Sequence, residues 1–249
     1  LLLLPLTWTQ LPDSVAFLVR QGKIAEARKV LAALTGKPLP DDAELAVHQP
    51  QKTEQSLAAL FSNNRALSTL MFFQAFFMCL LMVYGLGSWL PKLMTMAGYG
   101  FGSSLMFLLF LNIGGIIGAI GGGWLSDRFH PRPVLMLFFT LAAVSLALLG
   151  FKSHVAVLYF LVTVAGATTI GSQILLYAYV AQFYPTAIRS TALGWSSGVG
   201  RIGAILGPVL GGALLAMQLS HQMNFLAFVV PGALAVIAIM LTAGRKEAV

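Results

Sequence analysis

Arg201 stands in the middle of an apolar stretch, where a guanidinium must find an anion or a set of hydrogen-bond acceptors. Counting in from Ser190 at 1.5 Å per residue places it about 16 Å along a helix that begins there, close to the middle of a bilayer's hydrocarbon. Left unpaired at that depth it costs about 2.5–3.5 kcal/mol. Between residues 66 and 243 the single acid is Asp127, which lies at the far end of another apolar stretch. The partner of Arg201 is therefore a carboxylate from outside this chain, an anionic substrate, or a clamp of backbone carbonyls. Phe73, Phe77, Tyr84 and Ser88 follow one helical face, and Gln74, Met78, Gly85 and Trp89 the adjacent one. Asn112, and Thr169, Gln173 and Tyr177 at i, i+4 and i+8, add hydrogen-bonding groups. Aromatic faces with amide and hydroxyl groups around an arginine suit a planar carboxylate. The same residues suit helix-to-helix hydrogen bonding equally well.

Two other patterns match enzyme signatures and fail on context. Gly194-Trp195-Ser196-Ser197-Gly198 fits GxSxG, but a nucleophile elbow needs a strand before it and a histidine within reach, and His48, His130, His154 and His221 all fall in expected loops. Gly198, Gly200 and Gly203 fit GxGxxG with no preceding strand and no acid at the ribose-binding distance. These glycines, with Gly207, Gly211, Gly212 and Pro208, and the run Gly114, Gly115, Gly118, Gly121, Gly122 and Gly123, read instead as small-residue rows for close helix packing. A second reading is that Gly and Pro let these helices bend. The lone Cys79 excludes an internal disulfide framework and a cysteine-based zinc site, and no metal or cofactor site is expected.

The elements that must position these residues follow from composition. With 58% hydrophobic and 9% charged residues and a mean hydropathy of +0.84, the chain cannot wrap itself in a polar surface, so an all-α membrane protein is expected. Six apolar stretches long enough to span are found near 66–90, 103–125, 133–150, 155–183, 190–217 and 224–243. Residues 1–11 are too short to cross and read as the end of a span whose start is missing. Arg20, Lys23, Arg28, Lys29, Lys37, Lys52 and Arg65, then Arg128 and Arg132, Arg189, and Arg245 and Lys246 fall on one side, against Lys92 and Lys152 on the other. The positive-inside rule puts both ends of the chain in the cytoplasm and accounts for the net charge of +7 without nucleic acid. Residues 12–65 form a cytoplasmic linker. Ile24, Ala27, Val30, Leu31 and Leu34 mark an amphipathic helix at the membrane surface, and a Pro-rich polar stretch follows Gly36.

Charges at the cytoplasmic ends form a set. Asp127 with Arg128 and Arg132 could cap a helix or pair across a loop, and Arg189 follows the turn Tyr184-Pro185-Thr186, with Ser190 as a candidate N-cap. Such a cluster could latch a cytoplasmic gate.

At these residues the chain resembles the major facilitator superfamily, and more narrowly its aromatic acid:proton symporter family. Gly123 to Arg132 resembles the superfamily's loop motif, departing at His130 and Pro131. Pro12-Asp13-Ser14 with Phe17-Leu18 is similar to the segment after the sixth helix. Phe76-Phe77-Met78 with Tyr84, Ser88-Trp89-Leu90-Pro91, and the run from Tyr184 through Gly194-Trp195 to Pro208 resemble the narrower family. The resemblance implies the C-terminal six-helix half of a twelve-helix fold: end of helix six in 1–11, central loop in 12–65, helices seven to twelve in 66–249. It also implies import of benzoate-like anions with protons across a bacterial inner membrane. Arg201, Phe77, Tyr84, Trp89, Asn112, Gln173 and Trp195 would contact substrate, and Asp127, Arg128, Arg132 and Arg189 would serve the gate. The expected partners are a small aromatic carboxylate, protons, membrane lipid and the N-terminal half, which would carry the proton-coupling acids. A carrier of sugars, drugs or other organic acids, or a non-transporting sensor on the same fold, stays open.

Overall fold

The computed structural model describes residues 15–35 and 57–242. The expected half-span at 1–11, the Pro-Asp-Ser segment, His48, the polar linker and the basic tail lie outside the described residues. Helices α1 (Val15–Arg20) and α2 (Ile24–Thr35) belong to a compact unit separate from the rest. Gly22 joins them in the left-handed region at φ 78°, and the Lys23 amide donates to the Leu18 carbonyl at 2.9 Å, a Schellman end that only glycine adopts without strain. Ala27 is buried on the apolar face of α2, while Lys23 and Glu26 pair on its polar side.

The second unit begins with α3 (Leu57–Phe61) and continues as six long helices: α4 (Ala66–Met96), α5 (Phe101–Phe129), α6 (Pro131–Leu149), α7 (Val155–Phe183), α8 (Thr186–Ala216) and α9 (His221–Leu241). All six are long and apolar enough to cross a membrane, so the chain is a multi-pass membrane protein. The helices outrun the expected spans at three places for identifiable reasons. Pro91 lies inside α4; four residues on, the Thr95 hydroxyl bonds back to the Pro91 carbonyl and the helix runs to Met96. Between α5 and α6 the loop shrinks to His130 alone (φ 66°), because Pro131 at the first helical position is preset for the turn. Helix α8 starts at Thr186, directly after Pro185, so Arg189 and Ser190 lie inside it and Ser190 is no cap. His221 opens α9 rather than sitting in a loop, with its ring nitrogen on the Leu149 carbonyl at 3.1 Å.

Packing pairs α4 with α8 and α5 with α7, places α6 between α7 and α9, and returns α9 to α4. Exchanging the triplet α4-α5-α6 for α7-α8-α9 turns each of these contacts into another on the same roster. Since three spans reverse the direction of entry, the unit is an inverted three-helix repeat. Both main pairs are closed by glycine, as lipid-embedded helices require. A Cβ on Gly114 or Gly118 would strike the Thr163 or Ala167 carbonyl of α7, and one on Gly203 the Phe77 carbonyl of α4. Gly200 meets Phe76, Gly207 meets Leu81 and Gly211 meets Trp89, so α4 and α8 run parallel and in register. Gly121, Gly123 and Gly198 meet nothing within 4 Å, so they pack against no helix of this bundle, and neither does Gly194. Phe72, Phe76, Phe107, Phe139, Phe225 and Phe228 fill the interior.

Candidate functional site

Helix α8 is the least buried of the six spans, and Arg201 is its midpoint, fifteen residues from Thr186 and fifteen from Ala216. At 1.5 Å per residue that is about 22 Å from the helix start, deeper than the sequence count because the helix begins at Thr186. The side chain is exposed on the bundle and its Nη1 donates to the Tyr84 hydroxyl of α4 at 3.1 Å. Side chains in a helix lean toward its N-terminus, so Tyr84, whose neighbour Gly85 faces Gly207, hangs back one turn and a half to reach Arg201. No acid lies within ion-pair distance of Arg201 among the described residues, where the pair Lys23–Glu26 is the one observed. A guanidinium has five N–H donors, and Tyr84 accepts one.

A second polar pair lies one turn toward the start of α8. Ser197 precedes Arg201 by four residues and so shares its face. Its hydroxyl bonds the Tyr177 hydroxyl of α7 at 3.0 Å. The Tyr177 ring meets Phe76 of α4 edge-on, centroids 5.0 Å apart, and Gln173 lies half-buried one turn away on α7. Three helices thus converge on Tyr84, Arg201, Ser197 and Tyr177. The room in front of them comes from Gly194 and Gly198, the two α8 glycines with no neighbour.

The other expected contacts are placed differently. Phe77 is half-buried, its backbone against Gly203. The Trp89 indole donates to the Pro208 carbonyl at 2.7 Å and its ring covers Gly211 and Gly212, so it fastens α4 to α8. Asn112 is exposed on α5, with one amide N–H donated to the Leu108 carbonyl of its own helix. Trp195 is six residues from Arg201, about 240° around α8, and looks out with Ile202, Leu206 and Val209.

At the charged cluster around the α5–α6 junction, Asp127 is exposed and makes no ion pair among the described residues, and no side chain caps α6. Arg128 instead lies over the Trp124 ring at 5.9 Å. Arg132 donates to the Met240 carbonyl at 2.7 Å. Arg189 keeps a buried Nε without a partner. Among the described residues the expected latch is not closed. What joins the Tyr184 turn to the bundle is a hydroxyl chain: the Tyr184 and Thr69 hydroxyls bond at 2.7 Å, and that of Thr69 also lies 2.7 Å from the Leu60 carbonyl and 2.9 Å from that of Arg65. Burial pushes the Tyr184 hydroxyl's pKa up, against the opposing pull of Thr69 and of Arg65. The sequence offers no period or motif that would pair Thr69 with Tyr184. Ser197 could have been found as the i−4 neighbour of Arg201, but the GxSxG pattern draws attention to Ser196, which is buried within α8.

Comparison with known proteins bears on what such a bundle belongs to. Residues 112–248 match the Major Facilitator Superfamily, and residues 1–88 match the Sugar (and other) transporter family. A benzoate transport protein of Acinetobacter baylyi is 45% identical over 98% of this chain and 53% of its own length. A 4-hydroxybenzoate transporter of Pseudomonas aeruginosa is 36% identical over 93% and 53%, and a gentisate transporter of Corynebacterium glutamicum is 48% identical over 62% and 35%. This chain spans about half the length of the benzoate and 4-hydroxybenzoate relatives. Among solved structures, the Escherichia coli fucose:proton symporter superposes with a TM-score of 0.64 at 17% identity, covering 89% of this chain and 53% of the symporter; this likeness speaks to the fold. With six spans in an inverted repeat, two pairs of them closed by glycine, and a family match over more than half its residues, the chain belongs to the major facilitator superfamily, a family of transporters and not of enzymes.

Proposed function

We propose that this chain acts as the C-terminal six-helix half of a secondary carrier that brings benzoate-like or hydroxybenzoate-like anions into the cell with protons, by alternating access. The observation that carries the reading is Arg201: a mid-span cation on an uncovered face, held by a neutral phenol rather than an acid. A carboxylate arriving there gains charge-assisted, bidentate hydrogen bonds that a sugar or a cation could not match. The names of the relatives support the same substrate class. In this reading Arg201 and Tyr84 hold the carboxylate, and Phe77 and Gln173 border the ring. Asn112, Trp89 and Trp195 lie farther out, Asn112 and Trp195 toward the opposite half and lipid. The remaining part of such a carrier would bring the proton-coupling acids, since none among the described residues pairs with Arg201. Asp127, Arg128, Arg132 and Arg189 would form the cytoplasmic gate against that half. The membrane is the bacterial inner membrane, with both ends of the chain cytoplasmic.

The test is uptake of labelled 4-hydroxybenzoate by the full-length carrier in liposomes, with and without an inward proton gradient. Accumulation that depends on the gradient and is competed by benzoate, not by fucose, is the expected result. Uptake of sugars with indifference to benzoate analogues would overturn it.

A further inference from the structure

The geometry points to a second specificity element in the same site: we infer that the Tyr177–Ser197 hydroxyl pair reads a ring hydroxyl of the substrate, opposite the carboxylate held by Arg201. This inference rests on the aromatic-carboxylate reading above and adds what distinguishes one aromatic acid from another.

Three observations carry it. First, Ser197 and Arg201 share a face of α8 four residues apart, so the guanidinium and the hydroxyl pair border the same space. Second, polarity is one-sided. One turn toward the start of α8 from Arg201 stand the Ser197 and Tyr177 hydroxyls, 3.0 Å apart. One turn toward its end stands Ile205, exposed and apolar. A ring anchored at Arg201 therefore finds a hydrogen-bonding terminus in that one direction along α8. Third, the intervening room exists. Gly194 and Gly198 flank Ser197 with no heavy atom within 4 Å of where their Cβ atoms would be, whereas Gly200, Gly203, Gly207 and Gly211 on the other face are pressed against α4. Phe76, edge-on to Tyr177, holds the phenol in place.

The chemistry of the pair fits a third hydroxyl. Tyr177 and Ser197 share one hydrogen bond between them, which leaves one O–H donor and several lone pairs unspent. A substrate hydroxyl can accept from one and donate to the other, closing a chain whose members polarise each other. A substrate without that hydroxyl leaves the pair as it is.

The test measures discrimination, not rate. Uptake of labelled benzoate by the full-length carrier in liposomes is competed with unlabelled benzoate, 3-hydroxybenzoate and 4-hydroxybenzoate, in the unmodified protein and in Ser197→Ala, Tyr177→Phe and Arg201→Gln. Tyr177→Phe retains the ring that meets Phe76, so it separates the hydroxyl from the packing. In Ser197→Ala and in Tyr177→Phe, the half-inhibitory concentration of 4-hydroxybenzoate relative to benzoate is expected to rise about threefold or more, the worth of one hydrogen bond. Arg201→Gln weakens both acids together and leaves their ratio in place. A ratio unmoved in both hydroxyl variants overturns the inference, and so does an equal weakening of both acids by them. Absence of benzoate uptake in the unmodified carrier overturns the underlying reading, and is told apart because no ratio is then reached.

Discussion

Replacing Gly203 and Gly198 by alanine, one at a time, makes the same chemical change five residues apart on one helix and should produce opposite results. At Gly203 the added Cβ would lie 2.9 Å from the Phe77 carbonyl carbon, 3.1 Å from its Cα and closer still to its oxygen. These are backbone atoms that cannot rotate away, so α8 must withdraw from α4 by roughly 1 Å to restore contacts near 3.5 Å. Withdrawal loosens the neighbouring contacts at Gly200 and Gly207 and strains the 2.7 Å bond from Trp89 to the Pro208 carbonyl. Overpacking of this kind costs about 1–3 kcal/mol, offset by up to about 1 kcal/mol of helix propensity. At Gly198 nothing lies within 4 Å, so the propensity gain stands alone. Thermal unfolding of the full-length carrier in detergent should show Gly203→Ala melting several degrees below the unmodified protein and Gly198→Ala at or above it. Uptake should fall in Gly198→Ala all the same, because the methyl group occupies the room in front of Ser197 and Arg201. Equal melting temperatures for Gly203→Ala and the unmodified protein would refute the close α4–α8 contact. A Gly198→Ala protein destabilised as much as Gly203→Ala would show that face to be packed rather than open.

Three further outcomes are expected. Arg201→Gln should lower aromatic acid uptake at least about tenfold while Tyr84→Phe, which removes one hydrogen bond, lowers it about fivefold; Arg201→Gln uptake at the unmodified level would remove Arg201 from the site. Thr69→Val leaves the buried Tyr184 hydroxyl without its partner and should cost about 1–3 kcal/mol in thermal unfolding, with no loss if the hydroxyl chain is incidental. Cys79, fully buried against the Thr169 carbonyl, should stay unlabelled by maleimide until the protein melts, and rapid labelling of the folded carrier would contradict that placement.

The spans were legible because each is a long apolar run between charges, a signal that no tertiary contact overrides in a bilayer. Their ends were less so: the 130–131 junction and the start of α8 are decided by where proline presets the backbone, which hydropathy does not register. Arg201 was legible for the same reason as the spans, since a cation in hydrocarbon demands a partner. Which residue supplies that partner was not, because the Tyr84–Arg201 and Tyr177–Ser197 bonds join residues 117 and 20 positions apart on different helices. Trp89 shows the limit from the other side. Its position on a face beside Tyr84 suggested substrate contact, yet its indole N–H is engaged by the Pro208 carbonyl.

Where the glycine rows touch a neighbouring helix, their contacts support packing as the role. In α8 the residues at 200, 203, 207 and 211 touch α4 along three turns, and in the α5–α7 pair Gly114, Gly118 and Gly166 bring backbone against backbone. A bend in α8 relative to α4 would open these contacts together, and van der Waals contact is the main force joining helices in lipid. Pro208, where a bend would be cheapest, has its carbonyl held by Trp89. The face bearing Arg201, Tyr84, Tyr177 and Ser197 is thus mounted on a pair of helices that resists internal change. In the proposed carrier, exposure of that face to one side of the membrane and then the other would accordingly be a motion of this bundle as a body against whatever covers it, with Arg201, Tyr84, Tyr177 and Ser197 carried along together.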